Sequence, residues 1–129
     1  MKTIKQIAKF NVSPHEVYEI LMDSKKHAAF TESGAKISRK IGGKISAYDG
    51  WIKGKNVKLI KDKKIVQKWR GEDWPEGHYS IAKFELKKIN SGTELKFNQT
   101  NVPQEFFKDI SIGWKTQYWD KMRKNFGKK

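Results

Sequence analysis

The 129-residue chain contains no cysteine, and it has only three histidines and three prolines. Without cysteine it can form neither a disulfide framework nor a thiolate nucleophile, so nothing in it requires an oxidising compartment. The histidines are too scattered to supply a convincing catalytic set. We expect one domain over residues 1–129, with a core that a chain of this length can bury without metals or crosslinks.

Long apolar runs are also missing. The N-terminal stretch MKTIKQIAKF mixes lysines with apolar residues, so it does not look like a secretory signal. No stretch of the sequence is apolar for long enough to span a bilayer. We therefore expect a soluble, cytoplasmic protein that does not enter a membrane.

Positive charge is what the chain has in excess: 28 lysines and arginines against 14 acidic residues give a formal net charge of +14. Such an excess suggests a nucleic-acid or anionic-surface partner. However, the basic residues number 8, 10 and 10 in successive thirds of the chain, so they form no basic tail. Only Arg39, Arg70 and Arg123 are arginines, the residue that phosphate and base recognition favour. We expect a lysine-coated surface that can help to recruit an acidic partner.

The N-terminal region predicts a strand followed by two short helices. Residues 3–10 alternate in part between inward and outward side chains, with the period of a half-buried strand. Ser13 can cap a helix, Pro14 fits its first position and Glu16 completes a capping box. This helix is predicted to reach about Met22, and Asp23-Ser24 can cap a second one.

Residues 35–100 predict an antiparallel meander of about six strands, separated by turn signals. Asp49-Gly50 gives the strongest hairpin signal, and Gly42-Gly43, Asp62-Lys63 and Asn90-Ser91-Gly92 mark further reversals. Between the turns, inward-facing residues recur at every second position. The sheet is therefore expected to have one apolar face.

After Val102-Pro103 the apolar period changes from two residues to about 3.6 residues. One face of the predicted helix then carries Phe107, Ile110, Trp114, Tyr118 and Met122, and the helix should end near Phe126-Gly127. About 22 residues at about 1.5 Å each give a rod of roughly 33 Å, long enough to lie across a curved sheet. The order β-α-α-β(6)-α predicts an α+β fold in which a curved antiparallel sheet grips the long C-terminal helix.

Five tryptophans supply a large aromatic surface. Core or cavity lining is favoured over base stacking, because an amphipathic sheet also places aromatic residues between lysines. If a cavity remains between the sheet and the last helix, its candidate lining residues are Trp69, Phe84, Leu86, Phe97, Trp114 and Tyr118.

The stretch IVQKWRGEDWPEGH, residues 65–78, surrounds a predicted hairpin tip. Pro75 and Gly77 supply the turn geometry. Trp74 then has two alternatives: its ring folds back to close one end of the core, or it forms a partner surface with Glu76 and His78.

Catalytic and metal-binding interpretations of this stretch are weak. Asp73, Glu76 and His78 lack the reinforcing spacing of a metal site, and a solvated turn explains them. The adjacent carboxylates of Glu72-Asp73 would point to opposite sides of an extended chain. Gly42-Gly43 lacks the Lys-Ser/Thr pair of a phosphate loop. No catalytic residue, metal or cofactor is predicted.

Four other stretches accompany this one: SPHEVYEIL, GGKISAYDGWIKG, GTELKFNQTNVP and GWKTQYWDKMRKNFG. Together they resemble the carboxy-terminal domain of the activator of the heat-shock protein 90 ATPase, from about Ile4 to Gly127. The Trp-Pro-Glu-Gly-His run and the Gly-Trp pair of the last helix are the specific features, whereas glycine turns alone carry little.

The resemblance implies a START-like fold of the SRPBCC superfamily, a Bet v1-like helix grip that often leaves an apolar cavity. It also implies a co-chaperone domain, not an enzyme, that helps to bring together the N-terminal domains of the chaperone dimer. Eukaryotic activators carry a separate N-terminal domain that docks on the chaperone's middle domain and provides most of the ATPase stimulation. These residues contain no counterpart of it, so we expect the fold to transfer better than the activation.

The leading hypothesis is a cytoplasmic, non-enzymatic co-chaperone-like module that binds a heat-shock protein 90 chaperone. The alternative is a carrier or sensor of a small apolar ligand. A cyclase-like enzyme of the same superfamily ranks third because no acid–base pair stands out, and nucleic-acid binding ranks last because charge alone supports it. A closed core favours the interaction module, and a roomy pocket favours the carrier.

Overall fold

The computed structural model describes residues 1–127, which form seven strands, two short helices and a long C-terminal helix. The strands are β1 (Lys2–Phe10), β2 (Lys36–Ile37), β3 (Lys44–Ala47), β4 (Ile52–Ile60), β5 (Lys64–Gly71), β6 (Ser80–Ile89) and β7 (Gly92–Val102). The short helices α1 (Pro14–Met22) and α2 (Ser24–Thr31) separate β1 from β2. The predicted element order is confirmed.

All seven strands form one antiparallel sheet in the order β1-β7-β6-β5-β4-β3-β2. Strands that follow one another from β2 onward are neighbours, and β1 closes the order by pairing with β7. The predicted turn at Asp49-Gly50 joins β3 to β4. There Tyr48, Asp49 and Gly50 take φ values of 50°, 56° and 92°, the left-handed conformation that a tight hairpin turn requires.

Both short helices begin where their caps predict. The Ser13 hydroxyl accepts a hydrogen bond from the Glu16 backbone N–H at 3.3 Å, and the Asp23 carboxylate accepts one from Lys26 at 3.0 Å. Helix α1 buries one side, including Val17 and Leu21, against the sheet. The helices therefore cover part of the apolar face that the C-terminal helix leaves open.

The C-terminal helix has three consecutive parts: α3 (Phe107–Gly113), a π-helical segment (Trp114–Trp119) and α4 (Asp120–Phe126). The prediction of a regular 3.6-residue helix is wrong in this middle segment. The Asp120 backbone N–H bonds the carbonyl of Lys115, five residues back, as in a π-helix. The wider turn brings residues that are five positions apart onto one side of the helix, so Trp114 and Trp119 both reach the core.

The aromatic core forms around Trp114. Its ring centroid lies 4.3 Å from that of Phe97, 4.5 Å from that of Tyr118 and 5.5 Å from that of Trp119. The rings of Trp69 and Phe84 both lie 5.6 Å away. All of these side chains are buried, and the contacts join the helix to strands β5, β6 and β7.

Hydrogen bonds attach both core indoles to the sheet. Trp114 Nε1 donates to Gln99 Oε1 at 2.7 Å, and Gln99 Nε2 donates to Ser80 Oγ at 2.8 Å. Trp119 Nε1 donates to Gln6 Oε1 at 2.7 Å. Burying a polar group without a hydrogen-bond partner costs free energy. These bonds therefore fix the position of the helix over the sheet as well as holding it there.

A double-mutant cycle tests the contribution of the Trp114–Gln99 bond. Trp114→Phe and Gln99→Met are each expected to lower the free energy of unfolding by about 1–3 kcal/mol. Trp114→Phe leaves Gln99 Oε1 without its indole donor, and Gln99→Met leaves the Trp114 N–H without its acceptor and also removes the bond to Ser80. The double variant should lose less than the sum of the two. Urea unfolding of the three variants measures this coupling, and strictly additive losses would show that the bond does not hold the helix to the sheet.

Candidate functional site

The space between the sheet and the C-terminal helix is almost filled by side chains. A void of about 20 Å³ remains there, lined in part by Phe84, Trp69, Trp114 and Tyr118. It has room for about one water molecule and not for a small organic ligand. Leu86 and Phe97, two of the predicted cavity residues, are buried in packing contacts. The predicted lining residues thus come together mainly as a core.

A groove opens at the edge of this core, between the C-terminal helix and the β3–β4 hairpin. Its volume is about 390 Å³ and its surface is mainly apolar. We call it the helix–hairpin groove; its lining includes Tyr48, Trp51, Trp69, Gly113, Trp114 and Tyr118. Trp69, Trp114 and Tyr118 were among the predicted lining residues, whereas the hairpin and glycine contributions were not.

Gly113 keeps one side of the groove open. Its φ and ψ, −58° and −39°, are ordinary helical values, so backbone geometry does not require glycine there. A Cβ atom at this position would have no atom within 4 Å. The missing side chain therefore widens the groove next to Trp114.

Tyr48 forms the hairpin side of the groove. Its hydroxyl donates a hydrogen bond to the Gln117 carbonyl at 2.8 Å, which ties the β3–β4 turn to the C-terminal helix. Burial raises the pKa of Tyr48 to about 12, so the hydroxyl stays protonated and remains a donor at neutral pH.

His27 lies behind the groove and connects α2 to the C-terminal helix. Its Nδ1 is 3.1 Å from the Leu21 carbonyl, and its Nε2 is 3.0 Å from the Tyr118 hydroxyl. Because a carbonyl can only accept, Nδ1 carries the proton and Nε2 accepts from Tyr118. Burial lowers the pKa of His27 to about 4 and raises that of Tyr118, so both side chains are neutral in this arrangement.

The predicted hairpin tip takes the first of its two alternatives at Trp74. The indole is only 4% exposed, and its ring centroid lies 5.4 Å from Trp69 and 6.2 Å from Phe106, nearly parallel to the latter. Trp74 thus closes one end of the core, and its assignment to a partner surface is wrong for the ring. Glu76 remains exposed, and His78 Nε2 lies 2.8 Å from the Asn101 carbonyl, to which it can donate.

Residues 1–127 contain no group of three or more His, Cys, Asp or Glu side chains that could hold a metal ion. None of the helices in this part of the chain is long and apolar enough to cross a membrane.

Comparison with known families identifies the family of this chain. Residues 11–127 match the family described as Activator of Hsp90 ATPase homolog 1-like protein. The chain belongs to this family.

Two curated relatives are similar along most of the chain. It is 31% identical, over 92% of its length, to the activator of 90 kDa heat shock protein ATPase homolog 1 of Homo sapiens. It is 32% identical, over 97% of its length, to the homologue of Dictyostelium discoideum. These matches cover 35% and 33% of the two relatives, so the chain spans about a third of their length. Both are named as activators and not as enzymes.

A solved structure of an HSP90 activator from Plasmodium falciparum has the same fold. It superimposes with a TM-score of 0.84 at 26% identity, over 92% of this chain and 91% of the other. The START-like helix grip implied by the sequence is therefore confirmed.

The buried His27 predicts how stability depends on pH. Its folded-state pKa of about 4 lies below the ordinary value of 6.5, so the unfolded chain binds more protons between these two values. This contribution to stability is complete above the ordinary pKa and is lost as the pH falls toward the folded one. Between pH 7 and pH 5 it should decrease by about 2 kcal/mol.

The His27→Gln variant isolates this contribution, since an amide can also donate to Leu21 but does not titrate. We expect its free energy of unfolding, measured in urea, to decrease less than that of the wild type over the same pH interval. An equal decrease in the two proteins would contradict the assigned neutral state of His27.

Proposed function

We propose that this chain is a non-enzymatic, co-chaperone-like module that binds an Hsp90 chaperone and modulates its ATPase. Family membership carries the proposal, because the curated relatives are named as activators of the Hsp90 ATPase. The chain spans about a third of the length of those relatives. We therefore expect it to share their binding to Hsp90 more readily than their stimulation of the ATPase.

The filled interior supports a surface-binding function. Within the described part of the chain, the void between the sheet and the C-terminal helix is about 20 Å³, too small to hold a substrate shielded from water. The most deeply buried titratable pair, His27 and Tyr118, is neutral and satisfied by its own hydrogen bonds. These side chains hold helices together and face no reaction chamber.

The hairpin tip remains a candidate contact through its polar residues. Glu76 is exposed, and the bond from His78 to the Asn101 carbonyl fixes the tip against the end of β7. With the Trp74 ring buried, the tip offers charge and hydrogen bonds but no aromatic anchor. Such contacts set orientation and association rate more than affinity.

Titration of the labelled protein with purified Hsp90, with and without nucleotide, tests the proposal. We expect a complex that weakens as salt rises, because a protein of net charge +14 attracts an acidic partner through screened charges. His78→Ala, which releases the tip from the end of β7, should weaken the complex, while Asn90→Ala, an exposed change at another turn, should not. No association under any of these conditions would exclude the co-chaperone role.

The helix–hairpin groove favours a second candidate function, the carriage of a small apolar ligand. Its volume of about 390 Å³ lies within the range of ligand sites, about 300–1,000 Å³, and its lining is largely aromatic. A ligand there would contact Trp51, Trp69 and Trp114. This alternative requires no chaperone.

Substitutions of Gly113 test the groove directly. Gly113→Ala should raise the free energy of unfolding by about 0.5–1 kcal/mol, because the site is helical and has open space. Gly113→Leu should fill the groove and weaken binding of a fluorescent apolar dye by about tenfold, since roughly 1.4 kcal/mol of contact is lost. Thr116→Leu, an exposed change on the same helix, is the control. Equal dye binding by the wild type, Gly113→Leu and Thr116→Leu would exclude the groove as a ligand site.

A further inference from the structure

The outer face of the sheet, opposite the C-terminal helix, carries its charges in two unlike halves. In the half formed by β6, β7 and β1, the signs alternate across the strands. Glu85 lies opposite Lys96, and Glu94 lies opposite both Lys87 and Lys9. Opposite charges on directly paired strand residues are stabilising, so Lys9, Lys87 and Lys96 each face a counter-charge, although Lys5 and Lys83, both paired with Asn98, leave this half with some excess positive charge.

The half formed by β3, β4 and β5 has no such alternation. Lys44, Lys55 and Lys68 lie directly opposite one another across these three strands. In the next row, Lys53 lies opposite Arg70. Among the residues that the structure describes, none of these five cations forms an ion pair. Positive charge that is even along the sequence is therefore concentrated, without counter-charge, in one place on the fold.

This arrangement of lysines destabilises the folded protein when no partner is bound. Paired strands are about 4.8 Å apart, and like charges directly opposite each other are destabilising. Lys55 has a lysine on both sides. An anion that bound between the rows would remove this repulsion, so the arrangement suits a bound state better than a free one.

The same surface is concave. A depression of about 540 Å³ is lined by Lys44, Lys53, Lys55, Lys68 and Tyr79. The Tyr79 ring is 40% exposed, and the Arg70 guanidinium carbon lies 5.9 Å from its centroid. We call these five lining residues, together with the adjacent Arg70, the basic depression: five cations and one accessible ring that can pack against the stem of a bound chain.

We infer that the basic depression binds an acidic segment of a partner polypeptide in an extended conformation. Lys53 and Lys55 point to the same side two residues apart, a spacing of roughly 6.7 Å. An extended segment with a carboxylate at every second residue repeats at the same distance. Each lysine can therefore meet a separate carboxylate along the segment.

The composition of the depression favours a polypeptide over a nucleic acid. Sequence-tolerant strand binding uses several aromatic rings on which successive bases stack, and this depression offers only Tyr79. Phosphate recognition favours arginine forks, and four of the five cations are lysines. Lysine ammonium groups suit separate carboxylates that approach as point charges.

The inference goes beyond the proposed function, and it names the surface that an acidic chaperone segment would use if that function holds. Peptide binding by the basic depression and the co-chaperone role can fail separately. Binding of an acidic peptide without any Hsp90 association would leave the depression valid and remove the co-chaperone role. Hsp90 association that is unaffected by changes in the depression would do the reverse.

Fluorescence anisotropy with a labelled synthetic peptide of alternating Glu and Ser tests the site. The variant with Lys44→Gln, Lys53→Gln, Lys55→Gln and Lys68→Gln should bind it about tenfold more weakly than the wild type, because four surface charge contacts are lost. The matched control carries Lys25→Gln, Lys108→Gln, Lys115→Gln and Lys124→Gln, four exposed lysines on the helices. It has the same net charge and should bind within about twofold of the wild type.

Three results would overturn the inference. The first is equal weakening by the two quadruple variants, which would indicate attraction by net charge alone. The others are no peptide binding by the wild type at low salt, or tighter binding of single-stranded DNA through the same lysines.

The stability of the folded protein gives an independent readout. Lys55→Gln should raise the urea midpoint by relieving repulsion from both neighbours, whereas Lys115→Gln should leave it unchanged. A lower midpoint for Lys55→Gln would also count against the inference.

Discussion

The fold depends on the burial of three large rings, those of Trp114, Tyr118 and Trp119, by one helix against one sheet. In a regular α-helix positions 114 and 119 would diverge by roughly 140°, so one indole would leave the core. The π-helical segment removes this conflict by widening one turn. Both indole N–H groups then meet amide acceptors, Gln99 on β7 and Gln6 on β1, which places the helix along the sheet.

Because the interior is filled by side chains, the candidate binding sites lie on the surface. The rings that hold the helix occupy the volume that a helix-grip fold often leaves for a ligand, and the void between the sheet and the helix of residues 1–127 is about 20 Å³. The helix–hairpin groove at the edge of the core and the charged outer face of the sheet offer binding surfaces instead. The five cations of the basic depression form no ion pair among the described residues, whereas Lys9, Lys87 and Lys96 face carboxylates, so we propose the basic depression as the main recognition surface.

The sequence predicted the elements well because their signals are local. The caps at Ser13 and Asp23 and the turn at Asp49-Gly50 depend on neighbouring residues alone, and all three lie where they were expected. Trp119 was missed because a 3.6-residue period cannot show a π-turn, which forms only when the sheet offers space for both indoles. Tyr48 and Trp51 were missed because their place beside the helix depends on how the hairpin bends. The lysine rows follow from strand register, which the even spread of charge along the chain concealed.

Covalent footprinting of lysines in the proposed complex with Hsp90 tests most directly whether the outer face of the sheet makes the contact. Limited acetylation followed by mass spectrometry compares each lysine in the free and bound protein. We expect protection of Lys44, Lys53, Lys55 and Lys68 in the complex, with Lys108, Lys115 and Lys124 of the C-terminal helix as reactive as before. Protection confined to the lysines of the helix, with the sheet lysines unchanged, would contradict it.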